Sequence, residues 1–213
     1  MKKLLFFALL LFFAACHEED EDLLYSCDPK IDKIVKSAVH EYNQISLSDF
    51  LLFDIDFQRA IYRSFSPDKR YDFWLAKLDS AILSNDYNEQ EKGHIRYLIA
   101  ELSPDYFDLA EKDSTRLKMQ LDFVYNWTAD ARELFHWKTN HIQYLLFFLY
   151  VTEDQLLSTM SKTSETTIKD LSTTCNCAVE YDCNNPGCDT SEDCNAQLGC
   201  GPLWLTKCTG MCK

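Results

Sequence analysis

The sequence predicts a mainly α protein, a helical bundle followed by a small disulfide-rich C-terminal module. Three observations carry that expectation. Apolar residues recur at helical spacing from residue 28 to about residue 157, and Gly93 is the only glycine in that stretch. Eight of the 38 residues from Cys175 to Cys212 are cysteine, whereas residues 28–174 contain none.

The first fifteen residues read as an export signal. Lys2 and Lys3 precede the ten-residue apolar run "LLFFALLLFF", and Ala14-Ala15 stand before Cys16. That run is too short to span a bilayer and has the layout of a cleaved signal peptide. The stretch "FFAAC" resembles the lipobox of bacterial lipoproteins, with Phe13 where leucine is usual. The resemblance implies that Cys16 becomes the first mature residue, carrying a diacylglycerol thioether and an amine-linked acyl chain. Several chains anchor stably because each buried methylene contributes ~0.8 kcal/mol. The membrane partner is therefore reached through lipid on Cys16.

Residues 16–27 read as an acidic tether, opening with "HEEDED", five acids in six residues. Such a run after the lipid cysteine resembles the surface-export signals of Bacteroidetes-type lipoproteins. That implies the outer face of the outer membrane; a periplasm-facing or released protein is the alternative. Loss of residues 1–15 removes two lysines and takes the formal charge from −13 to −15. A chain this acidic lacks the basic footprint that nucleic acid requires, so no nucleic-acid partner is expected.

Residues 28–157 form the expected α-helical domain. Ile31, Ile34, Val35, Ala38, Val39 and Tyr42 make one apolar stripe, which predicts a single helix through "IDKIVKSAVHEY". Ser66-Pro67-Asp68 and Ser103-Pro104-Asp105 each offer a cap, a first-turn proline and an acid for the positive end of the helix dipole. After the first, Tyr71, Trp74, Leu75, Leu78 and Ile82 keep helical spacing. Asn88 and Glu91 have the spacing of a capping box ahead of Ile95, Leu98, Ile99 and Leu102. A longer helix is expected from about Ser114 to Trp137, with Leu117, Leu121, Val124, Ala131, Leu134 and Phe135 inward. "IQYLLFFLYV", residues 142–151, is expected to be the most buried helix. Trp74, Trp127 and Trp137 are read as core, and acid pairs such as Asp54 and Asp56 as solvated faces.

Residues 158–174 change character. Ten of these 17 residues are serine or threonine, and the apolar ones have no period, which marks a linker between two domains. Residues 175–213 follow as the disulfide-rich module, spaced C-x-C-x5-C-x4-C-x5-C-x5-C-x7-C-x3-C. In an exported chain, Cys175, Cys177, Cys183, Cys188, Cys194, Cys200, Cys208 and Cys212 are expected to pair as four disulfides, in one of 105 arrangements. Each bridge would contribute roughly 2–4 kcal/mol where apolar residues are too few for a core. The rival reading is a zinc or iron–sulfur site, which these spacings and the absence of histidine in the segment do not favour. No metal and no cofactor are expected. Cys27 stands outside the eight; it is expected to be a free, inert thiol, with an intermolecular bridge or entry into the cluster as alternatives.

The cysteine order, closing with "GCGPLWLTKCTGMC", resembles the myxobacterial bacteriocin fulvocin C, a short chain held by four disulfides. The whole chain is similar to the bacteriocin fulvocin C-related lipoproteins of Bacteroidetes, in which a helical region precedes such a segment. The likeness to the peptide covers about residues 174–213 and rests on cysteine order, Gly199-Cys200-Gly201 and Trp204.

The implied function is interaction with, or antagonism of, other cells by an anchored surface module that engages a protein or cell-envelope target. Leu203 and Trp204 are the expected exposed contact residues, with filling of the small module core as the other reading. The segment from 175 to 213 carries five acids against Lys207 and Lys213, a net of −3, which suits a receptor better than unspecific attack on anionic membranes. The alternative is a precursor whose linker is cut to release a peptide of about residues 175–213. An enzyme is not expected. His136 and Glu133 share a helical face and His141 lies five residues on, but no nucleophile motif or phosphate-binding glycine loop accompanies them.

Overall fold

The computed structural model describes residues 23–108, 114–149, 176–178, 188–190 and 196–212. It is mainly helical, as the sequence predicts, and the cysteine-rich C-terminal region contributes short strands. The signal peptide, Cys16, the acidic run and the linker 158–174 lie outside the described residues. No described helix is long and apolar enough to cross a membrane.

The helical region opens with α1 (Pro29–Ser37), α2 (Val39–Asn43), α3 (Leu47–Phe50) and α4 (Ile55–Ser64). Asp28 caps α1 by accepting from Lys30 and Ile31 amides, with Pro29 in the first turn. The single helix expected through residues 31–42 is broken at Ala38, where φ is −134° and ψ 27°. The break turns Tyr42 edge-on to Phe53 at 6.0 Å, a contact that periodicity does not encode. Ile34 is consequently 45% exposed, and α1 buries Val35 and Asp32 instead. Asp32 is buried because it serves the chain before it, accepting from the Tyr25 amide at 2.7 Å and the Ser26 amide at 3.3 Å. Residues 25 and 26, expected in a loose tether, are thus held against the fold.

Asp54 caps α4 through the Phe57 amide (2.9 Å), and Asp56 is buried, so neither acts as a merely solvated face. Next come α5 (Pro67–Leu83) and α6 (Glu89–Glu101). Ser66 caps α5, and Asn88 with Glu91 forms the reciprocal capping box at the start of α6. The second Ser-Pro-Asp departs from expectation: Ser103 makes no side-chain cap and only a 3-10 turn, Pro104–Phe107, follows. Tyr106 and Phe107 are buried there, and their packing ends the turn before an α-helix develops.

The long helix α7 (Ser114–Phe135) buries Val124, Trp127 and Ala131, while Leu134 is 64% exposed, contrary to the expected inward set. His136 at φ 57° reverses the chain so that Trp137 folds back into the core. In the last described helix, α8 (Thr139–Leu146), and the residues after it to Leu149, Ile142, Leu145, Leu146, Phe147, Phe148 and Leu149 are buried as expected, but the helix ends at Leu146 rather than running on through residue 149.

The strands are short. β1 (Asn176–Cys177), β5 (Gly210–Cys212) and β2 (Cys188–Thr190) form an antiparallel sheet in that order. β3 (Ala196–Cys200) pairs with β4 (Thr206–Cys208), and a 3-10 turn, Pro202–Trp204, joins them. Leu198, Leu203, Trp204 and Leu205 belong to the same apolar core as the helices. Among the described residues the strands are seated on the bundle, with α4 against β3 and α8 against the Pro202–Trp204 turn.

Candidate functional site

The junction between helices and cysteine-rich strands is built around the segment Gly199–Leu205. Gly199 and Gly201 have φ of 99° and 69°, conformations that glycine adopts at little cost. Between them Cys200 lends its carbonyl to the Thr206 hydroxyl, which donates at 2.8 Å. A Cβ on Gly201 would stand 2.5 Å from that hydroxyl oxygen, so the turn requires glycine. Leu203 and Trp204 then take φ of 54° and 55°, left-handed conformations that cost a non-glycine residue about 1–3 kcal/mol.

What holds two such residues is burial. Leu203 and Trp204 are both 0% exposed, which corrects the expectation of exposed contact residues. The physical reason is that the cysteine-rich segment has too few apolar residues of its own and borrows the core of the bundle. Trp204 stands edge-on to Tyr62 at 5.1 Å and to Trp74 at 6.1 Å, with the Arg59 guanidinium 5.7 Å from its ring centre. Its Nε1 donates to the Phe147 carbonyl at 2.8 Å, using a backbone oxygen at the end of α8. Beneath it, Trp74 Nε1 donates to the Tyr62 hydroxyl at 3.2 Å. Burial drives the Tyr62 pKa far up, outweighing the Arg70 charge and the Trp74 hydrogen bond, so the phenol stays protonated.

Arg63 on α4 joins three parts of the chain. Its Nε donates to the Leu198 carbonyl of β3, and its Nη1 donates to the Tyr25 carbonyl. Its Nη2 lies 2.8 Å from Cys208 Sγ, a weak acceptor. Arg70 braces the same corner from α5, donating to Arg63 O at 2.9 Å, Tyr62 O at 3.3 Å and Phe107 O at 3.1 Å. Those first two carbonyls end α4, where a cation also meets the negative end of the helix dipole. Sequence reasoning missed Arg59 and Arg63. The available signal was their i, i+4 spacing astride "AIY", which sets two cations beside an apolar stripe.

Of the eight predicted half-cystines, Cys177 pairs with Cys188 and Cys200 with Cys208, at Cα separations of 5.8 Å and 5.3 Å. The first bridge ties β1 to β2 across the intervening β5, and the second closes the β3–β4 pair. Cys212 lies in β5 opposite Cys188. Cys175, Cys183 and Cys194, like Cys16, lie outside the described residues. Cys27 is not the expected free thiol: it is disulfide-bonded. It packs with Leu24 and Ala178 against Ala196, Cys200 and Cys208, so the N-terminal arm lies along the strands.

No group of three or more metal-capable side chains occurs among the described residues. His94 stacks on Trp127 at 4.4 Å with an 8° interplanar angle, bonds the Trp127 carbonyl at 3.0 Å, and has a pKa lowered by burial. This is a packing role. A cavity of about 240 Å³ opens between α7, α8 and Pro202, floored by Val124, Ile142 and Phe147 and edged by Tyr125 and Arg132. Comparisons with protein-family models, with curated proteins and with solved structures find no match for this chain.

Proposed function

We propose that the protein is an exported, lipid-anchored surface protein that displays a fulvocin C-like cystine segment for contact with, or antagonism of, other cells. The helical bundle is its scaffold rather than a passive spacer. The observation that carries this reading is the seating of Trp204, fully buried and hydrogen-bonded to Phe147. A segment whose largest apolar residue lies inside another part of the chain is built to be presented in place. That weighs against release of a free peptide, because separation would expose Leu198, Leu203, Trp204 and Leu205 together. The contact surface then consists of residues such as Lys207 and Thr209, which face outward from the second strand pair and the turn after it. Rigid stapling favours recognition, since little conformational freedom is lost on contact.

The test is the intact mass of native protein from outer-membrane and supernatant fractions, with surface proteolysis of whole cells. The reading expects a full-length species that starts at Cys16, carries acyl chains and is cut by external protease. An unacylated species, or one shielded on whole cells, would overturn it.

A further inference from the structure

We infer that Cys27 is bonded to a cysteine of the C-terminal segment, so that the arm following the anchor is a covalent strap across the strands. The bond at Cys27 is present, and Cys177, Cys188, Cys200 and Cys208 are bonded to one another. That leaves Cys16, Cys175, Cys183, Cys194 and Cys212 as partners, four of the five in the C-terminal segment. Cys27 packs on Ala196, Cys200 and Cys208 from that segment, beside Leu24 and Ala178. The same arm is fixed twice more, by Arg63 on the Tyr25 carbonyl and by Asp32 on the Tyr25 and Ser26 amides. Arg63 in turn touches Leu198 and Cys208, so arm, helix and strands meet at one guanidinium. The exclusion of Cys16 rests on the lipoprotein reading, because a thioether leaves that cysteine no thiol to share.

Two consequences follow. With Cys16 acylated, nine thiols remain, and a strap from Cys27 leaves seven in the segment, enough for three internal bridges and one unpaired cysteine. The segment would then hold three bridges of its own rather than four. Cleavage in residues 158–174 would also free nothing, since the strap retains the C-terminal piece. Release needs an external dithiol: one thiolate attacks the strap to form a mixed disulfide, and the second thiol resolves it. The dithiol leaves oxidised, and Cys27 and its partner leave as two thiols. Eleven residues separate Cys27 from Cys16, so at ~3.6 Å per residue the strap holds the strands within about 40 Å of the lipid anchor.

The experiment uses the full chain with a protease site inserted between Ser164 and Glu165. After cleavage, denaturing electrophoresis without reductant should show one band, which separates into two on adding a dithiol. Peptide mapping of the alkylated, unreduced protein should link Cys27 to a C-terminal cysteine and find one alkylated thiol in the segment. Cys27→Ala should separate in denaturant without reductant yet co-elute in native buffer. Separation of the cleaved wild-type chain without reductant, or alkylation at Cys27, would overturn the strap alone. A Cys27–Cys16 bridge would overturn both the strap and the lipid anchor. Should the variant fail to fold, the wild-type map decides by itself.

Discussion

Arg63 on α4 donates to the carbonyl of Leu198 on β3, joining residues that stand 135 apart in the sequence. The same guanidinium meets the Tyr25 carbonyl and the Cys208 sulfur. Replacing it with methionine removes the guanidinium donor from the buried Leu198 carbonyl and the part-buried Tyr25 carbonyl. We expect a loss of roughly 2–4 kcal/mol, given about 1.5–3 kcal/mol for a charge-assisted hydrogen bond plus the cost of orphaned acceptors. Urea denaturation with disulfides intact measures it. Arg63→Lys should recover little, because one ammonium cannot span three diverging acceptors.

Gly199 faces that guanidinium. A Cβ there would lie 3.1 Å from both Nε and Nη2 of Arg63, and φ is 99°. Gly199→Ala should therefore cost about 1–3 kcal/mol through backbone strain and displacement of the arginine. If crowding of Arg63 contributes, the loss should shrink in an Arg63→Met background. Equal losses in both backgrounds would assign the whole effect to the backbone.

Trp204 separates packing from hydrogen bonding. Trp204→Ala should destabilise by roughly 3–5 kcal/mol, the range for emptying a buried aromatic site. Trp204→Phe keeps an aromatic edge against Tyr62 and Trp74 but abandons the Phe147 carbonyl, so part of the loss, about 1–3 kcal/mol, should persist. Denaturation midpoints of the two variants check the order. A Trp204→Ala protein as stable as wild type would contradict the seating of the strands on the bundle.

The two described bridges close loops of 11 and 8 residues by sequence separation. Chain entropy then assigns each about 2.5–3 kcal/mol. Paired Cys200→Ser and Cys208→Ser substitutions should lower stability by that amount and also loosen the Arg63 contact with Cys208. Guanidinium denaturation of the double variant measures the sum.

Burial holds the His94 pKa below its ordinary 6.5. The unfolded chain therefore takes up the proton first as pH falls. Stability from this group is complete above about pH 6.5 and is lost as pH drops through the folded-state pKa. Wild type should lose more stability than His94→Phe between about pH 7.5 and pH 5.5. Parallel losses in the two proteins would remove His94 as the source.

The helices were legible in the sequence wherever a local rule governs them. Asn88 with Glu91 forms its capping box, Ser66-Pro67 starts α5, and Trp74, Leu78, Trp127 and Ala131 face inward as their spacing requires. Local rules failed where long-range packing competed. The stripe through residues 31–42 breaks at Ala38, Ser103-Pro104 starts only a short turn, and Leu134 points outward. By itself the sequence determined a mainly helical chain ending in a cystine-rich module, because periodicity, capping and thiol density are local quantities. Tertiary structure alone decided that Trp204 is core, that Arg63 is a clamp, and that Cys27 is bonded. Each of those depends on which distant carbonyl, ring or sulfur comes within reach. Burial of a short apolar set against a bundle that can accept it settles that, and no spacing along the chain records it.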